Sequence, residues 1–304
     1  MRNVTLKHLR LLESAARLGS FTAAAEANNI TPPAVTMQMR QLEQEIGLPL
    51  FDRDGRGLTP TAAGREVLLA ARRIEAALAE CRDALLALEG LETGRVTVGV
   101  VSTAKYFAPR MLAAFARRHP RIELQLVVGN RRDIVAQFEG GQFDVCVMGR
   151  PPEGEVESDL IGPHPHVIVA PPDHPLAGTA RLQPGALAAE TFLVREVGSG
   201  TRTLMEAFFA KAKLQPTIGM EIGSNETIKQ AVMAGLGLAF ISAHTIAAEL
   251  ADGRLVVLDI AGTPLLRNWY VVRPKARRLM PAAKALQAFV VAEGASFLPT
   301  PLAP

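Results

Sequence analysis

The chain has 304 residues, enough for about two domains at roughly 150 residues each, and is too long for a lone interaction module. A composition of 48% hydrophobic and 21% charged residues is that of a folded protein with sizeable cores, which excludes a disordered or collagen-like chain. The formal charge of +3 is small, and residues 1–89 hold 11 basic and 11 acidic side chains, so net charge alone does not point to nucleic acid.

The first 60 residues read as short helices with tight turns. Leu6, Leu9 and Leu12 lie three apart on a helix that continues through Ala15 and Ala16 to Gly19. Ser20 caps a second short helix, Thr22 to Asn28, whose face at Ala24 and Ala25 permits close approach of a neighbour. A third helix starts at Thr31 as N-cap with Pro32 and Pro33 in its first turn, and the Thr31 hydroxyl is expected to cap the Ala34 N–H. Val35, Met39, Leu42 and Ile46 form its apolar stripe. The opposite face carries Pro33, Met37, Arg40, Gln41 and Gln44, flanked by Thr36 and Gln38, and Gly47 ends the helix.

From Leu48 to Pro60 a glycine-punctuated basic loop reads as a small two-stranded wing with Arg53 and Arg56 at its tip. Three helices and such a wing describe a winged helix-turn-helix. The third helix fits a major groove about 12 Å wide, with Thr36, Gln38 and Arg40 towards the bases and the wing arginines towards the backbone. The candidate DNA contacts are Thr31, Pro33, Thr36, Met37, Gln38, Arg40, Arg53 and Arg56.

A long helix is expected from about Thr61 to Leu88. Val67, Ala71, Ile74, Leu78, Cys81, Leu85 and Leu88 alternate steps of four and three, a heptad stripe that calls for a second helix, most simply that of another subunit. After a hinge at Leu91 to Gly94 the grammar changes. Strands are expected at 95–101, Glu123 to Val128, Asp144 to Met148, His166 to Ala170, Phe192 to Val194, Leu238 to Ser242 and Trp269 to Val272. Helices are expected at Phe107 to His119, Ile134 to Phe138, Arg202 to Ala212, Thr227 to Ala234 and Ala282 to Ala292. Alternating strands and helices imply βαβ units, a mostly parallel sheet and two α/β lobes of about a hundred residues each.

Two cysteines, Cys81 and Cys146, are too few for a disulfide framework and fit a reducing compartment. Arg2, Lys7, His8 and Arg10 interrupt any secretory apolar core, so a cytoplasmic location is expected. The longest uncharged stretch, 19 residues between Lys229 and Glu249, contains Gln230, Gly235, Gly237, Ser242, His244 and Thr245. It reads as helix, turn and buried strand, and no membrane span is expected. The acidic side chains are scattered, and His164, His166 and His174 lack a neighbouring cysteine or carboxylate at ligand spacing. Neither an enzyme nor a metal site is expected.

The segments Ser20 to Glu26, Ile30 to Thr36, Gln38 to Glu43, Gly47 to Arg53 and Leu58 to Gly64 resemble the N-terminal signature of LysR-type transcriptional regulators. The resemblance spans essentially the whole chain. It implies an α plus α/β fold with an N-terminal winged helix-turn-helix, a long dimerisation linker helix and a C-terminal two-lobed effector domain like the periplasmic binding proteins. The expected boundaries are 1–60 for the DNA-binding domain, 61–90 for the linker, 91–94 for the hinge, 95–162 for lobe I, 163–265 for lobe II, 266–294 for a return to lobe I and 295–304 for a flexible tail. Two departures stand out: Pro32 occupies a position where the family usually has glutamine, and Asn28 one where it usually has leucine.

Val101 to Arg110, Gly129 to Arg132 and Met148 to Pro152 further resemble the LysR-type regulators of Calvin-cycle carbon-fixation operons. That likeness implies a transcriptional activator that answers to phosphorylated sugars or acids, or to NADPH, with no resident cofactor. The implied partners are double-stranded DNA with a dyad-related operator, a second copy forming a homodimer, a further pairing to a homotetramer, and RNA polymerase.

In an α/β lobe pair the ligand cleft lies at the carboxyl ends of the strands, where helix N-termini favour anions. Ser102, Thr103, Lys105, Asn130, Arg131 and Arg132 in one lobe, with Ser199, Thr201, Arg202, Ser224 and Asn225 in the other, occupy such strand-to-helix turns and are the candidate effector contacts. A regulator of another operon with a carboxylate effector, and a solute sensor without specific DNA recognition, are the competing readings.

Overall fold

The computed structural model describes residues 3–54, 57–88, 94–276 and 279–299. It divides into two compact units, Met1–Arg82 with Gly140–Gln142, and Asp83–Glu139 with Phe143–Pro304.

In the first unit α1 (Leu6–Leu18), α2 (Phe21–Ala27) and α3 (Pro32–Ile46) precede a hairpin of β1 (Phe51–Asp54) and β2 (Gly57–Pro60), followed by α4 (Ala62–Leu88). Thr5 and His8 close a reciprocal capping box at the start of α1. Ser20 accepts from the Ala23 N–H at 3.4 Å. Leu9, Leu12, Ala24, Ala25, Val35, Met39, Leu42, Leu50 and Phe51 form the core, and Val67, Leu68 and Ala71 of α4 complete it. Asn28 causes no penalty because its amide donates to Ser14 Oγ at 3.0 Å and to the Ala24 carbonyl at 2.7 Å.

The Thr31 cap differs from expectation. Its side chain makes no cap bond; the Ala34 N–H is taken at 3.0 Å by the Thr31 carbonyl instead. With both Pro32 and Pro33 lacking an N–H, the first turn tightens onto the one backbone acceptor that remains close.

The second unit holds β3 (Gly94–Val101), α5 (Ala108–Arg118), β4 (Ile122–Gly129), α6 (Arg131–Glu139), β5 (Val145–Met148), β6 (Val156–Ala170), β7 (Thr191–Arg195), α7 (Gly200–Lys211), β8 (Thr217–Ile222), α8 (Asn225–Met233), β9 (Leu238–Ser242), α9 (Ala247–Ala251), β10 (Val256–Val257), β11 (Leu265–Pro274) and α10 (Pro281–Glu293). Its strands run in the order β4-β3-β5-β11-β6-β9-β7-β8, with β10 also on β6. The parallel sets β4-β3-β5 and β8-β7-β9 are the two lobes. They are joined by β6 and β11, which pair antiparallel along ten positions, so the sheet is continuous through both.

Apolar cores fill each lobe. One is built on Val98, Phe107, Met111, Phe115, Phe143 and Trp269; the other lobe carries cores on both faces of its sheet, around Ile228, Val232 and Ile241 and around Phe192, Phe208 and Phe240. Cys146 is fully buried, and burial pushes its thiol pKa up, in keeping with a small hydrophobe. The expected flexible tail is a correction: Gly294–Phe297 forms a 3-10 turn, and Phe297 and Leu298 pack on the lobe I core because both are apolar. Residues 300–304 lie outside the described residues.

Candidate functional site

The apolar stripe of α3 turns Val35, Met39 and Leu42 inward, and the opposite side is open. Pro32, Pro33, Thr36, Met37, Arg40, Gln41 and Gln44 line one shallow surface on it. Met37 is 61% exposed, an unusual cost for so large an apolar side chain unless something covers it. Arg40 and Thr31 are exposed, and Gln38 is half-buried on the flank. The Thr36 hydroxyl donates to the Pro32 carbonyl at 3.1 Å, so what it presents outward is a methyl group and an acceptor oxygen. Of the wing arginines, Arg56 and the side chain of Arg53 lie outside the described residues.

The heptad stripe of α4 splits in two. Val67 and Ala71 are buried in the core of their own unit, which corrects their assignment to a seam between subunits: 3-4 spacing looks the same whichever partner the stripe meets. Ile74, Leu78, Cys81 and Leu85 remain exposed, at 40%, 43% and 59% for the two leucines and isoleucine in the order Ile74, Leu78, Leu85. The side chain of Leu88 lies outside the described residues.

The second unit contains a cleft of about 570 Å³. Its walls are the carboxyl ends of β3, β5 and β7 with the segments that follow them: Ser102 and Thr103, Gly149 to Pro151, and Ser199 to Thr201. The N-terminus of α7 faces this space, and its first N–H groups have no acceptor within the helix. Ser199 and Thr201 are buried beside them, and neither supplies a side-chain cap to the helix.

Arg131 reaches in from α6, held by the carbonyls of Arg150 and of Pro151, the latter at 3.3 Å. Burial first, and then the neighbouring Arg150 charge, lowers its pKa. Two cations beside a helix N-terminus and four hydroxyls make a receptor for an anion, which would offset that repulsion.

Arg195 went unnoticed in the sequence. It is 2% exposed, and its guanidinium donates to both Glu196 oxygens at 2.8 and 2.9 Å, to Asn225 Oδ1 and to Ser102 Oγ at 3.2 Å. It thereby ties the turn after β3 to the opposite lobe. Gly198 allows a second approach: a Cβ there would meet Arg132 Cβ at 3.0 Å, and its carbonyl accepts from the Arg132 N–H at 3.3 Å.

The structure brings Ser102, Thr103, Arg131, Ser199 and Thr201 together and places the other candidates elsewhere. Lys105 lies 5.2 Å from the Tyr106 ring, a cation–π distance. Asn130 caps α6 by accepting from the Asp133 N–H at 2.9 Å, and Ser224 accepts from the Thr227 N–H at 3.4 Å. Arg132 is exposed beside Asp133. Arg202 turns from the cleft to Glu206 and Glu221. Asn225 Oδ1 accepts from Arg195, while its buried Nδ2 has no hydrogen-bond partner. For Arg202 the i,i+4 pairing with Glu206 was a readable signal; for Arg195 no local pattern exists.

The floor of the cleft is formed by β6 and β11, through His164, His166, Leu266, Arg267, Asn268 and Tyr270. Among the described residues no three metal-ligating side chains cluster to hold a metal ion, and no helix is long and apolar enough to cross a membrane.

Residues 6–65 match the family model described as "Bacterial regulatory helix-turn-helix protein, lysR family", and residues 89–295 match the "LysR substrate binding domain". The chain is 58% identical over 299 residues to the HTH-type transcriptional regulator CbbR of Xanthobacter flavus, covering 97% of this chain and 90% of that one. It is 46% identical over 294 residues to the RuBisCO operon transcriptional regulator of Allochromatium vinosum, covering 96% and 97%. A solved structure, the regulatory domain of CcmR from Synechocystis PCC6803 in complex with 2-PG, superposes with a TM-score of 0.64 at 35% identity, over 66% of this chain and 97% of that domain. The match of two LysR family models, one over more than half of the chain, together with 58% identity to a curated relative, means that this chain belongs to the LysR family of bacterial helix-turn-helix transcriptional regulators.

Proposed function

We propose that this protein is a cytoplasmic, non-enzymatic regulator of a RuBisCO operon that binds a small phosphorylated acid in the cleft of its second unit. The cleft itself carries the reading: Arg131, Arg150 and the N-terminus of α7 converge with Ser102, Thr103, Ser199 and Thr201 on one space of anion-binding character. The similarity to regulators named for that operon, and to a domain crystallised with 2-PG (2-phosphoglycolate), supports the operon and the ligand class.

In this reading α3 enters the major groove with Thr36, Met37, Gln38 and Arg40 towards the bases, while Thr31, Pro33, Arg53 and Arg56 stand along the backbone. The exposed stripe from Ile74 to Leu85 pairs with the same helix of a second copy, giving two heads for a dyad-related operator; pairing of dimers gives a tetramer. Ligand binding between the lobes shifts the balance of their arrangements and so the fit of the heads to DNA and RNA polymerase.

Calorimetric titration of the full-length protein with 2-PG tests the ligand. Saturable binding that falls at least about tenfold in both Arg131→Ala and Thr201→Ala, but not in Arg202→Ala, is expected from the loss of charge-assisted hydrogen bonds in the first two. Unchanged affinity in Arg131→Ala and Thr201→Ala would refute the site, and failure of any phosphorylated acid to bind would refute the ligand class.

A further inference from the structure

At the base of the cleft lies a group of aromatic rings that the anion receptor does not use. His164 stacks on Trp269 with ring centres 3.8 Å apart, His166 sits 4.2 Å from His164, and His244 is 5.8 Å from His164 on its other side. Trp269 Nε1 donates to His244 Nδ1 at 3.0 Å. Because an indole only donates, that nitrogen of His244 is the acceptor and its proton is on Nε2. His164 Nε2 shares a hydrogen bond of 2.9 Å with Ser242 Oγ.

Three ring nitrogens at the base of the cleft make no hydrogen bond of good geometry: Nδ1 of His164 and both nitrogens of His166. These residues are 4% and 1% exposed, and both line the cavity. A buried polar atom without a partner costs on the order of 1–3 kcal/mol, and three together in one structure ask what they serve. Gly149 points the same way. A Cβ on it would stand 2.9 Å from His164 Nδ1 and 3.3 Å from Cε1, so a side chain at this position would crowd that nitrogen. Arg267, opposite His164 in the β6–β11 register, lines the same end of the cavity.

We propose that His164 and His166 form a second polar subsite, which receives a carboxylate or hydroxyl group at the end of the ligand remote from its phosphate. The inference rests on the anion-binding reading above and adds to it: the ligand must be bifunctional. A phosphate held at Arg131 and the α7 N-terminus leaves the floor to a group that accepts an N–H from an imidazole, or, for a hydroxyl, also donates to the other ring nitrogen. Burial lowers the pKa of both histidines, of His166 to about 3, so they act as neutral rings that sort ligands by hydrogen-bond pattern and not by charge. A ligand with a methyl group there would leave the nitrogens unsatisfied, and a site built around buried polar groups discriminates strongly against such an analogue.

The test compares 2-PG with monoethyl phosphate, which replaces the carboxylate by a methyl group, by calorimetry on the full-length protein. The wild type is expected to bind 2-PG at least about tenfold more tightly. In His166→Phe, and separately in Gly149→Ala, that ratio should fall towards one while affinity for monoethyl phosphate stays within about twofold. Gly149→Ala keeps both histidines and decides the matter if His166→Phe fails to fold. A wild-type ratio near one, or a ratio retained in the folded variants, overturns the subsite while leaving the anion receptor in place. Absence of binding by either compound overturns the receptor and the subsite together.

Discussion

The ring cluster under the cleft makes the second unit sensitive to mild acid. Burial lowers the pKa of His166 to about 3 and that of His244 to about 4, and it lowers His164 as well. Their unfolded value is about 6.5, so below that pH the unfolded chain binds protons that the folded one refuses, and stability falls as pH falls. The contribution is complete above about pH 6.5 and is lost progressively down to the folded pKa values. From about pH 7 to about pH 5.5 each such histidine costs on the order of 1 kcal/mol, hence about 2 kcal/mol for His166 and His244 together, with His164 adding in the same direction. Carboxylates held below their usual range, such as Glu226 and Glu293, act only as the pH approaches their own lower window.

Urea denaturation followed by fluorescence reads this directly, because Trp269 is the one tryptophan of the chain and sits within the cluster. His166→Phe removes one of the protonation sites. Whatever it does to absolute stability, the loss between the two pH values should shrink by about 1 kcal/mol relative to wild type. The difference between the proteins cancels the titrating groups that do not touch His166. An identical pH dependence in the two proteins would refute the claim that His166 is buried uncharged.

Two further outcomes follow from the first unit. Leu78→Glu places a carboxylate on the exposed stripe of α4, and light scattering should show a smaller species or an aggregate in place of the wild-type oligomer; unchanged mass would count against that face as a subunit contact. Arg40→Ala should weaken operator binding by more than about tenfold in a gel shift while leaving the oligomer intact, and equal loss on scrambled DNA would assign the residue to backbone contact instead of base reading.

Much of this architecture was legible because the local signals agree: Gly47 ends α3, the run Arg95 to Val101 is a buried strand, and helices alternate with strands thereafter. What escaped notice did so for physical reasons. The part of β6 ahead of His166 carries Pro163 and Pro165, which deny the ladder an N–H and mask a strand of 15 residues that crosses both lobes. Strand β8 has five exposed residues followed by one buried, so it lacks the alternation that marks a half-buried strand. Half of the cleft is visible as serines, threonines and an arginine at strand-to-helix turns. The histidine floor is not, because only pairing with β11 brings His164 and His166 beneath those turns.

The paired prolines that open α3 also settle how that helix can meet a charged polymer. Neither residue offers an amide hydrogen, and the Ala34 and Val35 amides are both taken by the Thr31 carbonyl, at 3.0 and 3.2 Å. The tip of the rod therefore has no free amide to offer a phosphate; the uncapped Thr31 hydroxyl is what remains there beside the proline rings. In the proposed complex, charge on the strand would then be met by guanidinium groups, and the rod would read by its flank.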